Sequence, residues 1–467
     1  MKKSLPLICL FFLMLGGCQA TLTKILPPLE EEGEVYLYLE PFPQVAERLR
    51  FDMSEIFAVN GDGREIALTL SLQVLQGPEM RRQRLLASGP LPPGPYVGFS
   101  FKVKEAIVKS EEGEAALLVP ETPSSIDLPF RIDRRAGRVI SLELKYPDSI
   151  RDTIHFTPAF SAFIPNKPVN SRIGYVTNSG SNDMIVFDKK SAQVFAVIPT
   201  GSGPSGMALD QNLLRAYVAL PSDDAIEMID VTAGAIVNRM RLSTGDRPKE
   251  LALTSDGKNL LCVNNGSNSL SFIDPGSLFE LGRINVGNGP HSVLIDQTER
   301  RAFVFNRISS TISVIDIPNR ALITTIGTEP GPLRGQFNRG GDRLFVIHEL
   351  SSYLTVIDPR TLSTVRRFSV RIGMNSIKVD TRTDLVYIGR KIDPMVEVYD
   401  PVSFVSVDYV RAGSGVTYMT IDGEENNLYM VNSQKNRVTI SNVVSKKIVG
   451  EIDVGEGPYW VTMMGER

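Results

Sequence analysis

From Ile173 to Arg467 the chain repeats one phrase seven times at a pitch of about 42 residues, and that period limits the folds open to it. A proline turn opens each repeat: Pro204, Pro248, Pro290 and Pro332, then Met374 and Val416 in the same place, then Pro458, with five of the six intervals equal to 42. A strand centre recurs with it, read as Tyr175-Val-Thr, Tyr217-Val-Ala, Cys262-Val-Asn, Phe303-Val-Phe, Phe345-Val-Ile, Tyr387-Ile-Gly and Tyr429-Met-Val. A strand end recurs at Asp188, Asp230, Asp274, Asp316, Asp358 and Asp400, with Ser441 in the seventh place. Within one repeat, Gly, Pro, Asn and Asp turns separate four short β-rich runs, which predicts a four-stranded antiparallel unit. Such a unit is too small to bury its own faces, so neighbours must stack radially. The first repeat starts with what is elsewhere the second strand, and the last ends at Tyr459-Trp-Val-Thr-Met with what is elsewhere the first. The expected fold is all-β: a seven-bladed β-propeller over 170–467 whose C-terminal strand completes the first blade, preceded by a smaller β-sandwich.

The phrase Ile173-Gly-Tyr-Val-Thr-Asn-Ser-Gly-Ser-Asn, followed by Ile185-Val-Phe-Asp and Gly201-Ser-Gly-Pro-Ser-Gly-Met-Ala, resembles the YVTN family of propeller repeats across 170–467. The resemblance implies a fold and leaves the activity open, because relatives of this repeat include surface-layer proteins, periplasmic binding propellers, lactonases and scaffolds of redox enzymes. Met374, Val416 and Ser441 depart from the consensus without breaking its phase.

The N-terminus carries a different signal. Met1-Lys-Lys, the apolar run Leu5 to Leu15 and Gly16-Gly-Cys18 have the layout of a signal peptide over 1–17. Leu15-Gly-Gly-Cys18 resembles the bacterial lipobox, which implies lipidation of Cys18, with a plain secretory signal as the alternative. Gln19 in place of Asp resembles the pattern of lipoproteins that travel on to the outer membrane, so the expected location is the bacterial cell envelope, with a lipid anchor holding the protein at a bilayer. Residues 18–33, with Pro27-Pro28 and a Glu run, read as a tether. Period-two alternation from Val35-Tyr-Leu-Tyr-Leu39 to Val139-Ile-Ser-Leu-Glu-Leu144 predicts antiparallel strands and a β-sandwich over 34–146, weakly similar to prealbumin-like domains. The proline-rich stretch 147–169 reads as a linker. Once Cys9 leaves with the signal peptide and Cys18 takes the lipid, Cys262 is the one remaining thiol, which excludes a disulfide within the mature chain. It is expected as buried filling in the place where other repeats have Tyr or Phe. A net charge of -3 with interspersed signs gives no basic field for nucleic acid.

A propeller turns repeat positions into rings around a channel mouth. The rings after the turn proline and at the second-strand ends vary from blade to blade, as an asymmetric ligand on a repeated scaffold requires. They nominate Lys249, Glu250, His291, Arg334, His348, Arg390, Tyr418 and Trp460 as a ligand- or partner-binding set, suited to an anionic or sugar-like group in a concave site. The competing reading is a solvated loop rim, with His291 a turn residue and Trp460 packing between blades. The aspartate row looks like a metal ring, yet each Asp leads into a turn, where an Asx hydrogen bond accounts for it. There is no CxxCH, GxSxG, P-loop or HExxH, and only His155, His291 and His348 exist, so no metal or cofactor is expected. The expected function is a non-catalytic, lipid-anchored envelope scaffold that presents its channel face to a protein or glycan. The alternative is a hydrolase resembling propeller lactonases, with His291 or His348 as general base beside Glu250, and Arg334 or Arg390 stabilising an oxyanion.

Overall fold

The computed structural model describes residues 29–466 except Glu112; the stretch read as a signal peptide, Cys18, and the stretch read as a tether as far as Pro28 lie outside the described residues. From Ile173 onward the chain forms seven four-stranded antiparallel sheets. Six are made of consecutive strands. The remaining one joins Ile173–Asn178, Asp183–Asp188 and Gln193–Pro199 to the C-terminal strand Pro458–Met463. The first strands of successive sheets neighbour one another, and Pro458–Met463 also meets Met207–Asp210. Each sheet is covered on both faces, which is why its second strand reads as an unbroken apolar run. In Arg301–Asn306, for example, Phe303 and Phe305 pack with Phe337 and Val346 of the following sheet, while Val304 packs with Leu261 and Val263 of the preceding one.

Two repeat positions sit one residue away from the sequence reading. Asn264 pairs with Pro248 as Asn306 pairs with Pro290, so Leu261, not Cys262, is the counterpart of Phe303. A one-residue offset turns a strand side chain to the opposite face, and Cys262 accordingly packs with Tyr217 of the preceding sheet. It is buried there, with Sγ donating to Asn264 Oδ1 at 3.3 Å, and burial pushes its thiol pKa up. The seventh member of the aspartate row is Asn442, which accepts the amides of Val444 and Ser445 as Asp230 accepts those of Thr232 and Ala233. These caps hold turns whose fifth residue is left-handed, and outside Gly234 that residue has a side chain, as at Leu278, Leu362 and Phe404. The side-chain cap and the return bond from that residue's N–H to the strand-end carbonyl, or at Arg320 to the Ile317 carbonyl, offset the steric cost of positive φ.

Residues 33–163 form two larger sheets facing one hydrophobic core. One contains Gly33–Leu39, Arg84–Leu91 and Gly137–Leu144; the other contains Leu49–Asn60, Gly94–Ser110 and Ser124–Ile132. The expectation of purely antiparallel strands is corrected, because Gly33–Leu39 runs parallel to Gly137–Leu144. The stretch read as a linker is also structured: Phe160–Phe163 adds an edge strand to the first sheet, and Phe156 is buried in the core. Pro147 lies in the first turn of the short helix Tyr146–Ser149, and Pro158, Pro165 and Pro168 lie outside the strands, so none removes a hydrogen bond that a ladder needs.

The alternation of Gly33–Leu39 sends Val35, Leu37 and Leu39 into this core and Tyr36 and Tyr38 into the first C-terminal sheet. At Gly137 a Cβ would stand 2.4 Å from the Val197 carbonyl oxygen, so the two backbones meet only because that residue is glycine. Arg82 and Arg84 each reach Asp453 at 2.7 Å. The Tyr36 hydroxyl donates to Glu34 at 2.7 Å and lies 3.5 Å from buried Asp183. One phenolic proton cannot satisfy two carboxylates. Burial pushes Glu34 up to about 7 and Asp183 up to about 6.

Candidate functional site

Five of the seven first strands open with a register shift, so that the residue after the turn position is an inserted one, and Lys249, His291 and Tyr459 occupy that place; Met207–Asp210 and Tyr418–Ile421 pair without a shift. Such bulges re-aim a side chain at a strand end. The next residue points toward the centre of the ring, and here four sheets meet. Arg334 Nη1 lies 2.5 Å from Glu250 Oε2, and its guanidinium stands 5.0 Å from the ring centroids of both Tyr418 and Trp460. Those two rings stack at 3.7 Å. Glu250 is 4% exposed and Arg334 8%, so this is a desolvated ion pair with an aromatic lid. The Glu250 pKa is raised because burial outweighs the nearby cation, whereas Arg334, itself opposed by burial, is held protonated by Glu250 and the neighbouring Tyr459. With guanidinium unable to lose its proton at physiological pH, the pair is ionic.

Around this plug the charge is unbalanced toward positive. Lys249 makes no ion pair among the described residues, and burial followed by the Arg334 charge lowers its pKa to about 8. His291 lies well below its ordinary value, first through burial and then through Lys249 and Arg334, so its imidazole is neutral at pH 7. Its Nδ1 is buried without a hydrogen-bond partner. Arg307, paired with Glu349, adds a further cation that sequence reasoning missed.

The predicted set therefore divides. Lys249, Glu250, His291, Arg334, Tyr418 and Trp460 converge, and Tyr459 joins them. His348 and Arg390 do not. His348 is fully buried at its strand end, with Nδ1 3.1 Å from the Tyr353 carbonyl and its pKa lowered by burial to about 4. Arg390 pairs with Glu397 at 2.7 Å, and Glu397 is shared with Arg371 at 2.6 Å. Both act locally, tying second strand to third within their own sheets.

The same edge of the ring carries a feature that sequence reasoning passed over. Ile308, Leu350 and Ile392, spaced 42 apart, each stand two residues past the end of a second strand and are 69%, 62% and 83% exposed. The signal was in the period itself: three aliphatic residues in a loop position where the other repeats have Gly180, Ser222, Gly266 and Gln434. Val402 and Val444 are exposed on the opposite edge, where Arg366 stands 4.5 Å over the Phe368 ring and donates to the Val402 carbonyl.

Residues 177–385 match a family model described as YNCE-like beta-propeller. The chain contains a β-propeller. Solved structures agree on the fold: hydrazine synthase of Kuenenia stuttgartiensis is 16% identical with a TM-score of 0.54, covering 58% of this chain and 92% of that one. A functionally unknown protein of Desulfotomaculum acetoxidans is 13% identical with a TM-score of 0.55, covering 62% and 98%. A protein of Bacteroides fragilis described as a candidate 6-phosphogluconolactonase is 14% identical with a TM-score of 0.54, covering 64% and 99%. No curated protein matches the chain. At these identities the propeller is shared and the activities are not carried with it.

Proposed function

We propose that this chain is a non-catalytic binding protein of the bacterial envelope, anchored through lipid on Cys18, which presents the channel face of a seven-bladed propeller to a protein partner. The seven closed sheets support the blade count, and the two facing N-terminal sheets support a sandwich packed on the propeller. The outer-membrane lipoprotein reading rests on Leu15-Gly-Gly-Cys18 and Gln19. The observation that carries the function is the arc of Ile308, Leu350 and Ile392 beside the cationic mouth of Lys249, Arg307 and Arg334. Exposed aliphatic groups flanking desolvated charge fit a protein surface that is apolar with an acidic rim better than they fit a glycan. The hydrolase alternative is the weaker reading, because Glu250 is committed to Arg334, and no histidine hydrogen-bonds a carboxylate among the described residues.

The test is a photo-crosslinking residue at Leu350 in living host cells, with Asn319 on the opposite edge as control. A discrete protein adduct at Leu350 alone, lost in the Ile308→Ser/Ile392→Ser background, is the expected result. Absence of any adduct at Leu350, together with lactone turnover abolished by His291→Ala, would replace this reading with the hydrolase.

A further inference from the structure

A second concave site lies away from the channel, where the N-terminal sheet leaves the propeller. The outward face of that sheet is divided: Tyr36, Tyr38 and Val139 pack on the propeller, and the next residues on the same face, Glu40, Ser141 and Glu143, open into a cleft of about 490 Å³. Gln193 and Val194 of the first propeller sheet form the facing wall, and Phe163, 42% exposed, flanks the opening.

The polar groups of this cleft are oriented in one sense. Gln83 Oε1 accepts the Val194 amide at 2.8 Å, which turns Nε2 toward Glu40 Oε1 at 3.0 Å. Gln193 Nε2 holds the other oxygen, Glu40 Oε2, at 2.5 Å. Glu40 is thus fixed by two neutral amides that straddle the junction. Of the three carboxylates lining the cleft, Glu143 is paired with Lys145 at 2.6 Å and Asp188 with Arg172, while Glu40 meets no lysine or arginine among the described residues. Behind it the Ser141 hydroxyl, 0% exposed, has no hydrogen-bond partner among the described residues. Its register pairing with Phe163 places both on the cleft side of the sheet.

A preorganised carboxylate without a counter-cation, beside a buried hydroxyl and an exposed aromatic ring, complements a group that only donates hydrogen bonds and carries positive charge. The charge of Glu40, which no lysine or arginine among the described residues offsets, is what favours a cation over a neutral sugar hydroxyl. We propose that this cleft binds an organic cation, an alkylammonium or guanidinium group, supplied either by a free amine or by a basic side chain of a peptide. Bound there, the cation would bridge the two domains through Glu40.

Calorimetric titration of the full chain with 1,5-diaminopentane, with the peptide acetyl-Gly-Lys-Gly-amide and with maltose tests this. Binding of either cation is expected, weakened about tenfold by Glu40→Gln through loss of a charge-assisted bond. Phe163→Ala, which removes an exposed ring and leaves the fold intact, is expected to weaken it severalfold, and Val444→Ser, at an exposed turn outside both sites, to leave it unchanged. Preference for the diamine or for the peptide identifies the source. Failure of both cations to bind the wild-type chain, equal binding of maltose, or unchanged affinity in Glu40→Gln would each overturn the proposal.

Discussion

Glu34→Gln is the most direct test of how the N-terminal sheets are joined to the propeller. Glu34 and Asp183 sit on either side of the Tyr36 hydroxyl, which has one proton to give. The amide keeps an acceptor for that proton and removes the charge. Burial raises the Glu34 carboxyl from its ordinary 4.5 to about 7, and at about 1.36 kcal/mol per pKa unit the difference is worth about 3 kcal/mol. A raised carboxyl binds its proton more tightly in the folded state, so wild-type stability falls as pH rises from about 4.5 through about 7, and the full cost is present above that. Asp183, raised to about 6, adds a loss with the same sign over a lower window. Glu456 beside Asp183 reinforces it, while Arg82 and Arg84 are engaged by Asp453. Glu34→Gln should therefore match wild type near pH 4.5 and exceed it by up to about 3 kcal/mol at pH 8. Urea midpoints measured between pH 4.5 and 8 on both proteins read this directly. A variant equally stable or weaker at pH 8, or with an unchanged pH slope, would show that Glu34 is ionised at no cost and refute the buried-carboxylate argument.

Arg334→Met should destabilise the fold by about 3–5 kcal/mol, because it strands the Glu250 carboxylate in a desolvated centre, and adding Glu250→Gln should recover most of the loss. A single-variant cost under about 1 kcal/mol in denaturant titration would mean that water reaches the pair. Lys249, labelled as its dimethyl form, should titrate near pH 8 by NMR and move upward in Arg334→Met, since that guanidinium is the second cause of its depression after burial. An unmoved midpoint would separate Lys249 from the Arg334 centre.

Legibility in the sequence followed the range of the interaction. The strand pattern and its phase were readable because each sheet needs the same apolar run and the same capped turn. The convergence of Lys249, Glu250, His291, Arg334, Tyr418 and Trp460 was readable for a related reason: ring geometry carries equivalent positions to one axis. His348 and Arg390 satisfied the same positional rule and still left the set, because each found a partner inside its own sheet, the Tyr353 carbonyl and Glu397. Repeat position selects an edge of the molecule; it does not say which neighbour a side chain will bond.

The 42-residue period alone was enough to specify repeated β-units that must stack, since no such unit buries its own faces. It could not resolve a one-residue offset, and so the faces of Cys262 and the identity of Asn442 as the last turn cap came only from strand pairing. The tertiary structure also decided that Gly33–Leu39 runs parallel to Gly137–Leu144, that the proline-rich stretch donates an edge strand, and that Tyr36 and Tyr38 seal one domain onto the other. The physical reason is common to all of these. Hydropathy reports how often a chain must turn a side chain away from water, and only packing in three dimensions reports which surface receives it.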